Sequence, residues 1–273
     1  MSVVWCNGEV VDELHLKSNE RGLMLGDGIF ETIAVRAGNA IWLNEHIQRM
    51  GNAAAELGIG FSSDNILEAV KVVLKHSQAK TEVLRITLTR GPSPRGLAAE
   101  GTTPSLIITL NPFDRNALPK SVRLATSQIR RNETAPSCRL KTLSYIDAIA
   151  AAREVSTRAD DALMLNFLGN VASTTIGNVF LLKANVLITP SPDQAILPGI
   201  ARHKLICGAA ELGLIVQERA VEAKELHTAD CVFVTNSLRL ATPVSSLDGK
   251  ACGTRDIGFI QGYYEQHSKG DAP

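Results

Sequence analysis

Val83 to Thr89 alternates without a break, with Val83, Arg85, Thr87 and Thr89 on one side and Leu84, Ile86 and Leu88 on the other. A run of period two is a strand with one buried face, and that face has to meet another apolar layer. Two neighbouring stretches offer one. Leu43, Ile47, Met50, Ala54 and Leu57 recur at three- and four-residue spacing, with Asn44 as the expected cap and Gly58 as the stop. A second helix is expected over roughly Asn65 to His76, with Ile66, Ala69, Val70 and Val73 on one face. Further strands are expected at Val3–Cys6 and Glu9–Val11 around the hairpin signal Asn7-Gly8, at Phe30–Val35, and at Ser105–Leu110. Strands and amphipathic helices so mixed specify an α/β (α+β) fold.

Arg90 to Gly101 is rich in Gly and Pro and reads as a loop. Pro112 to Pro119 holds two prolines and little apolar content, so the domain boundary is expected there, with domains 1–118 and 119–273. A chain of 273 residues is long enough for two domains. The second half opens with a strand at Val122–Thr126 and a polar loop from Arg130 to Arg139. A helix is expected from about Ser144 to Ser156, with Ile146, Ile149, Ala150 and Val155 inward. Strands follow at Ala162–Phe167, Val179–Leu182 and Val186–Thr189, then a helix from Gly199 to Leu212 capped by Gly213, then a short buried strand at Val232–Thr235.

Composition removes several function classes. Lys plus Arg equals Asp plus Glu, at 28 each, so no net charge recruits nucleic acid or an anionic membrane. No stretch reaches about 18 apolar residues, so no membrane span is expected. Met1 to Val11 lacks the basic, then apolar, pattern of a signal peptide. Cys6, Cys138, Cys207, Cys231 and Cys252 are odd in number and contain no C-x-x-C pair. Reduced thiols in a cytoplasm are expected, and no metal.

Several residues carry chemistry without deciding it alone. Gly26-Asp27-Gly28 precedes a strand and permits close backbone approach, or simply makes a tight turn. Lys141 stands between a polar loop and an apolar helix. Taken alone it reads as a solvated lysine, since buried lysines are rare; out of water, a lysine can act as nucleophile and base. Pro198-Gly199-Ile200-Ala201 opens a helix, where free N–H groups can hold an anion. Thr235-Asn236-Ser237 ends a buried strand and can cap a turn or hold a phosphate. Arg49 lies away from the apolar stripe of its helix, and periodicity alone makes it solvated.

The order of these pieces along the chain is more specific than any one of them. Gly26-Asp27-Gly28-x-Phe30-Glu31-Thr32, His46-Ile47-Gln48-Arg49, Thr89-Arg90-Gly91, Leu140-Lys141-Thr142-Leu143, Gly169-x-Val171, Asn178-x-Phe180, Gly199-Ile200-Ala201-Arg202 and Thr235-Asn236-Ser237 resemble the successive signatures of the class-IV aminotransferase and aminodeoxychorismate lyase superfamily. The resemblance spans nearly the whole chain. It implies a fold type IV enzyme with pyridoxal 5′-phosphate (PLP) between two domains, a homodimer, and a small-molecule amino substrate. By resemblance, Lys141 is the lysine that carries the cofactor and shuttles protons. Arg49, the N–H groups of Ile200 and Ala201, and Ser237 correspond to the phosphate site. Tyr145 lies where relatives line the cofactor's edge, and Phe30 and Arg95 lie on the substrate side, Arg95 where relatives receive a carboxylate.

One position departs from the pattern. The family motif Gly-x-Val-x-Glu-x-x-x-x-Asn-x-Phe has Ser173 in place of its Glu, the residue that pairs with the protonated ring nitrogen of PLP. A serine hydroxyl supplies no charge there, so the cofactor is expected to be a weaker electron sink. This favours 4-amino-4-deoxychorismate lyase chemistry, where aromatisation drives the elimination. The alternatives are an aminotransferase of D-amino or branched-chain amino acids, and a PLP-binding protein with little catalysis.

Overall fold

The computed structural model describes residues 2–98, 103–268 and 270–271. The chain forms two compact units. The first holds the chain up to Asn116, the short segment Leu140–Ser144 and the described residues from Ser268 onward; the second holds Ala117–Arg139 and Tyr145–His267.

The first unit contains β1 (Val3–Cys6), β2 (Glu9–Val11), α1 (Arg21–Leu25), β3 (Gly28–Arg36), β4 (Asn39–Ile41), α2 (Leu43–Leu57), α3 (Ser63–Leu74), β5 (Thr81–Thr89) and β6 (Ser105–Pro112). Its antiparallel sheet runs in the order β4-β3-β5-β6-β1-β2, and Gly270–Asp271 adds a last short strand beyond β4. β3 and β5 pair along their whole lengths, from Gly28↔Thr89 to Arg36↔Thr81. The alternation of β5 is obeyed: Leu84, Ile86 and Leu88 are buried against Ile29, Ile33 and Val35 of β3 and the apolar stripes of α2 and α3. The loop expected at Arg90–Gly101 is irregular as far as Ala98, and its last residues lie outside the described ones.

Two helix starts shift. α2 begins at Leu43, and Trp42 in a left-handed conformation (φ 55°) precedes it with no side-chain cap. The buried Trp42 ring fixes the turn out of β4, leaving Asn44 exposed inside the first turn rather than capping it. α3 starts at Ser63 because the Ser62 hydroxyl accepts from the Asn65 N–H, a true N-cap.

The second unit contains β7 (Val122–Thr126), α4 (Pro136–Arg139), α5 (Ile146–Val155), β8 (Asp161–Leu165), β9 (Val171–Thr174), β10 (Asn178–Lys183), β11 (Val186–Pro190), α6 (Ile200–Gly208), β12 (Ile215–Arg219), β13 (Cys231–Asn236), β14 (Leu240–Leu247), β15 (Lys250–Ala251) and α7 (Gly258–His267). Its sheet follows β12-β11-β10-β13-β14-β7-β8-β9, with β15 beside β14. β9 also pairs with β10 through Ser173↔Asn178, so six strands close on themselves. Val122, Leu124, Leu163, Leu165, Val179, Leu181, Val232, Val234 and Val244 fill the interior. The outer face carries Met164 under α5 and the stacked pair Phe180–Phe233, 5.2 Å between centroids.

The inward face of α5 differs from expectation. Ile146 and Ile149 are 71% and 48% exposed, whereas Val155 is buried as expected and, with Ala151, meets β7 and β8. Small residues allow that helix to lie close on Ala125 and Ala162. α6 ends at Gly208, short of Leu212. A methyl at Gly208 would stand 1.9 Å from the Tyr263 hydroxyl, so α7 packs on α6 at a position where only glycine fits. A single 3-10 turn then reaches Gly213.

Ile86 lies at the centre of the first core, fully buried. Ile86→Ala should lower unfolding free energy in urea by roughly 3 kcal/mol, from lost burial and the cavity left behind. A loss under about 1 kcal/mol would contradict this packing.

Candidate active site

In the first unit, β4 covers only Val35 and Arg36 of β3, leaving the start of β3 an open edge. Residues 141–143 fill it. Phe30 N–H donates to the Lys141 carbonyl (2.9 Å), Leu143 N–H donates to the Gly28 carbonyl (2.9 Å), and Ile29 bridges Thr142. Gly28 is required by this approach: a Cβ there would meet Leu143 and the Leu88 carbonyl at 2.8 Å. Lys141 is thereby held by its backbone, with Nζ 4.3 Å from the centroid of the buried Phe30 ring. The Arg85 guanidinium lies over the same ring at 3.8 Å. Two residues far apart in sequence, Lys141 and Phe30, are thus in contact.

Arg49 is not the solvated residue that helical phase suggests. Its Nε and Nη2 donate to Glu31 Oε1 and Oε2 at 2.8 and 2.6 Å, and its side chain is 17% exposed. Glu31 sits on the helix-facing side of β3, alternating with the apolar Ile29 and Ile33, and is almost wholly buried. His46 Nδ1 lies 2.6 Å from Glu31 Oε2. A buried carboxylate needs such partners. Burial pushes the Glu31 carboxyl up, but the Arg49 charge and the His46 hydrogen bond outweigh it and hold it at about 2. Burial lowers His46 from its ordinary value against the opposing pull of Glu31, and nearby Lys141 adds to the lowering. The signal for this network was in the sequence: an acid at a core-facing strand position calls for a cation from the covering helix.

Arg95 is exposed on its loop. Arg21 donates to the carbonyls of Gly96 and Leu97, next along the chain.

In the second unit, three side chains form one row. Ser173 is the cross-strand partner of Asn178, and Asn178 of Thr235. Directly opposed residues point to the same face, so all three lie on the outer side, beside Met164 and Phe180. Asn178 Nδ2 donates to the Leu197 carbonyl at 2.8 Å, and a Cβ on Gly199 would stand 2.2 Å from Asn178 Oδ1. The start of α6 therefore abuts the row. Its N-cap Gly199 offers no side chain, so none caps Ile200 and Ala201. Among the described residues, four buried side-chain polar atoms have no hydrogen-bond partner, and two of them are Ser173 Oγ and Thr235 Oγ1. Ser237 is half-buried just beyond Thr235, and Tyr145 is half-buried immediately before α5. The sequence marks Thr235-Asn236-Ser237 and Asn178 as motif residues, with Ser237 as the phosphate candidate, but their shared row with Ser173 is visible only from the strand pairing.

Residues 28–247 match the class IV amino-transferase family. The chain belongs to that family. It is 30% identical to the aminodeoxychorismate lyase of Bacillus subtilis over 90% of this chain and 87% of the relative. It is equally 30% identical to the D-alanine aminotransferase of Bacillus licheniformis over 91% and 89%. A solved branched-chain aminotransferase from Thermoproteus uzoniensis superposes with a TM-score of 0.88 at 26% identity, covering 97% of this chain and 93% of that one. The fold is fold type IV, and the chain is a PLP-dependent enzyme.

The residues present fit that cofactor. Two buried hydroxyls without partners and an uncapped helix start offer donors to a phosphate and a ring. No helix among the described residues is long and apolar enough to cross a membrane.

The Glu31 network sets an acid limit on stability. A carboxyl at about 2 in the folded chain, against an ordinary 4.5, contributes stability above pH 4.5 that is lost as pH falls toward 2. Glu31→Gln should cost roughly 3 kcal/mol at neutral pH and flatten that acid dependence. Parallel stability–pH curves for the two proteins would contradict the buried charge.

Proposed function

We propose that this chain is a 4-amino-4-deoxychorismate lyase, releasing pyruvate and 4-aminobenzoate. The observation that carries the reading is Ser173: a buried hydroxyl without a partner, in a row with Asn178 and Thr235 that contains no carboxylate. PLP, when bound, supplies an aldehyde that takes up amines and a ring that withdraws electrons from the bond being broken. Lys141 Nζ anchors the cofactor and takes the proton from the substrate ring carbon. Ser173 donates a hydrogen bond to the cofactor's ring nitrogen but cannot hold a proton there. Thr235, Ser237, Arg49 and the N–H groups of Ile200 and Ala201 hold the phosphate, and Tyr145 lines the cofactor's edge. Phe30 supports Lys141 from one side, and Arg95 receives the substrate carboxylate.

The balance of charge favours elimination. Without a carboxylate at position 173 the electron sink is weaker, and an aminotransferase needs that sink in both halves of its cycle. An elimination that ends in an aromatic ring needs it less. The D-alanine and branched-chain relatives favour the other reading, an aminotransferase, and only the reaction distinguishes them.

We further propose a homodimer working in the cytoplasm. Leu23, Met24 and Leu25 on α1 and Leu97 on the Arg95 loop are 49% to 82% exposed, a cluster suited to burial by a second copy. The five cysteines are all free thiols.

The purified protein with added PLP should release pyruvate from 4-amino-4-deoxychorismate and move amino groups to 2-oxo acids slowly or not at all. Fast transfer without pyruvate would make it an aminotransferase. Lys141→Ala should lose the cofactor that borohydride fixes to the wild-type chain; undiminished fixation would place the anchor on another lysine.

Ser173→Glu should speed the half-reaction in which an amino acid converts bound PLP to its amine form, by up to roughly a few kcal/mol of barrier if the longer side chain fits. A soluble, cofactor-loaded Ser173→Glu protein with no faster conversion would contradict the role given to the missing charge.

A further inference from the structure

The loop that carries Arg95 forms no helix or strand between Ser93 and Ala98. Its position comes from the segment Asn19–Arg21. Asn19 Nδ2 donates to the Ser93 carbonyl at 2.9 Å, Ser93 N–H donates back to the Asn19 carbonyl at 3.2 Å, and Glu20 bridges Pro92. Arg21 does the rest. Its side chain is 6% exposed, and its Nε donates to Asp27 Oδ2 at 2.7 Å. Nη1 donates to the Gly96 carbonyl at 2.6 Å and to Ser93 Oγ at 3.3 Å, and Nη2 to the Leu97 carbonyl at 2.8 Å. The fork therefore holds both peptide carbonyls that follow Arg95 in the chain.

The fork itself is fixed. Asp27 Oδ2 also accepts from Arg90 Nε at 2.8 Å, and Arg90 is tied to the last carbonyls of α2 at Leu57 and Gly58. From the end of α2, through Arg90, Asp27 and Arg21, a continuous set of charge-assisted hydrogen bonds runs to the residues beside Arg95. Such bonds are shorter and stronger than neutral ones, and a planar guanidinium fixes direction as well as distance. Arg95 remains exposed at the end of this chain of contacts, its side chain projecting from a backbone it does not itself secure.

We propose that Arg21 is a positioning residue: its buried guanidinium sets where Arg95 stands, and so how tightly the chain takes a substrate carboxylate. This rests on the reading of Arg95 as the carboxylate receptor. A lysine at position 21 keeps the charge for Asp27 but cannot hold two carbonyls in a fixed fork. Arg95 would then have to be ordered by the substrate at each binding event, which weakens binding while leaving the chemistry of Lys141 untouched.

The test compares Arg21→Lys, Arg95→Ala and the double variant. KM and kcat are read from pyruvate release, or from amino-group transfer if that is the reaction found. Amide exchange across residues 93–97 is read alongside. Each single variant should raise KM about tenfold with little change in kcat, the factor that loss of about one hydrogen bond to a charged group corresponds to. The double variant should be no worse than Arg95→Ala alone, and Arg21→Lys should exchange faster at 93–97. If Arg95→Ala leaves KM unchanged, the carboxylate reading of Arg95 fails, and this inference with it. If Arg95→Ala raises KM but Arg21→Lys does not, or if the two effects multiply, that reading stands and the positioning role is overturned. Should Arg21→Lys not fold, Gly96→Ala disturbs the same loop from its other side. Gly96 has φ 130°, where a methyl meets no neighbour but the backbone is strained. The Arg21–Asp27 pair is left in place, so the same rise in KM is expected, and an unchanged KM would overturn the inference.

Discussion

Glu31 places a full negative charge inside an apolar core, and the first unit is organised around satisfying it. Its carboxylate is among the most deeply buried charges in the chain, between Ile29 and Ile33 on the strand whose edge receives Lys141. Arg49 and His46 reach it from α2, which ties that helix to β3 by charge as well as by packing. The same bonds define Arg49. An arginine with two of its nitrogens on Glu31 has its plane and position fixed before any phosphate arrives. Its charge also faces the Glu31 carboxylate directly.

The second unit reaches its arrangement by strand closure. β9 leaves β8 with a register shift between Met164 and Leu165 and then meets β10 at Ser173. That shift turns Ser173 to the outer face while Val171, two residues earlier, stays in the core. The row Ser173, Asn178 and Thr235 follows from the closure. Asn178 spends its amide on the Leu197 carbonyl and thereby brings in the start of α6. Buried hydroxyls without partners are costly in a folded chain; two in one unit, beside an uncapped helix, mark where a ligand compensates.

Most of the fold could be read from periodicity. The alternation of β5 and the stripes of α2 and α3 reflect which side of an element meets the core, and the hairpin at Asn7-Gly8 reflects the positive φ its turn requires. Periodicity was silent where a polar group decided the outcome. It left Arg49 in solvent because nothing in a helical pattern reveals a buried acid on another element. It turned Ile146 and Ile149 inward, although α5 packs through its alanines. It missed β12, whose sequence Ile-Val-Gln-Glu-Arg lies mostly exposed at the sheet's edge and has no face to alternate. The order of short motifs recovered Lys141, Phe30 and Ser173 as candidates. The placement of Thr235 and Asn178 in one row, and the contacts of Arg21, depend on register and hydrogen bonding, which no single stretch of sequence displays.

The preference for elimination proposed above depends on the cofactor's ring nitrogen facing a hydroxyl and not a carboxylate. The most direct measurement is nuclear magnetic resonance of the protein loaded with PLP isotopically labelled at that nitrogen, compared with Ser173→Glu. The expected result is a signal typical of an unprotonated pyridine in the wild-type chain and a shift toward the protonated form in the variant. A protonated ring in the wild-type protein would contradict the claim and, with it, the preference for elimination over transamination.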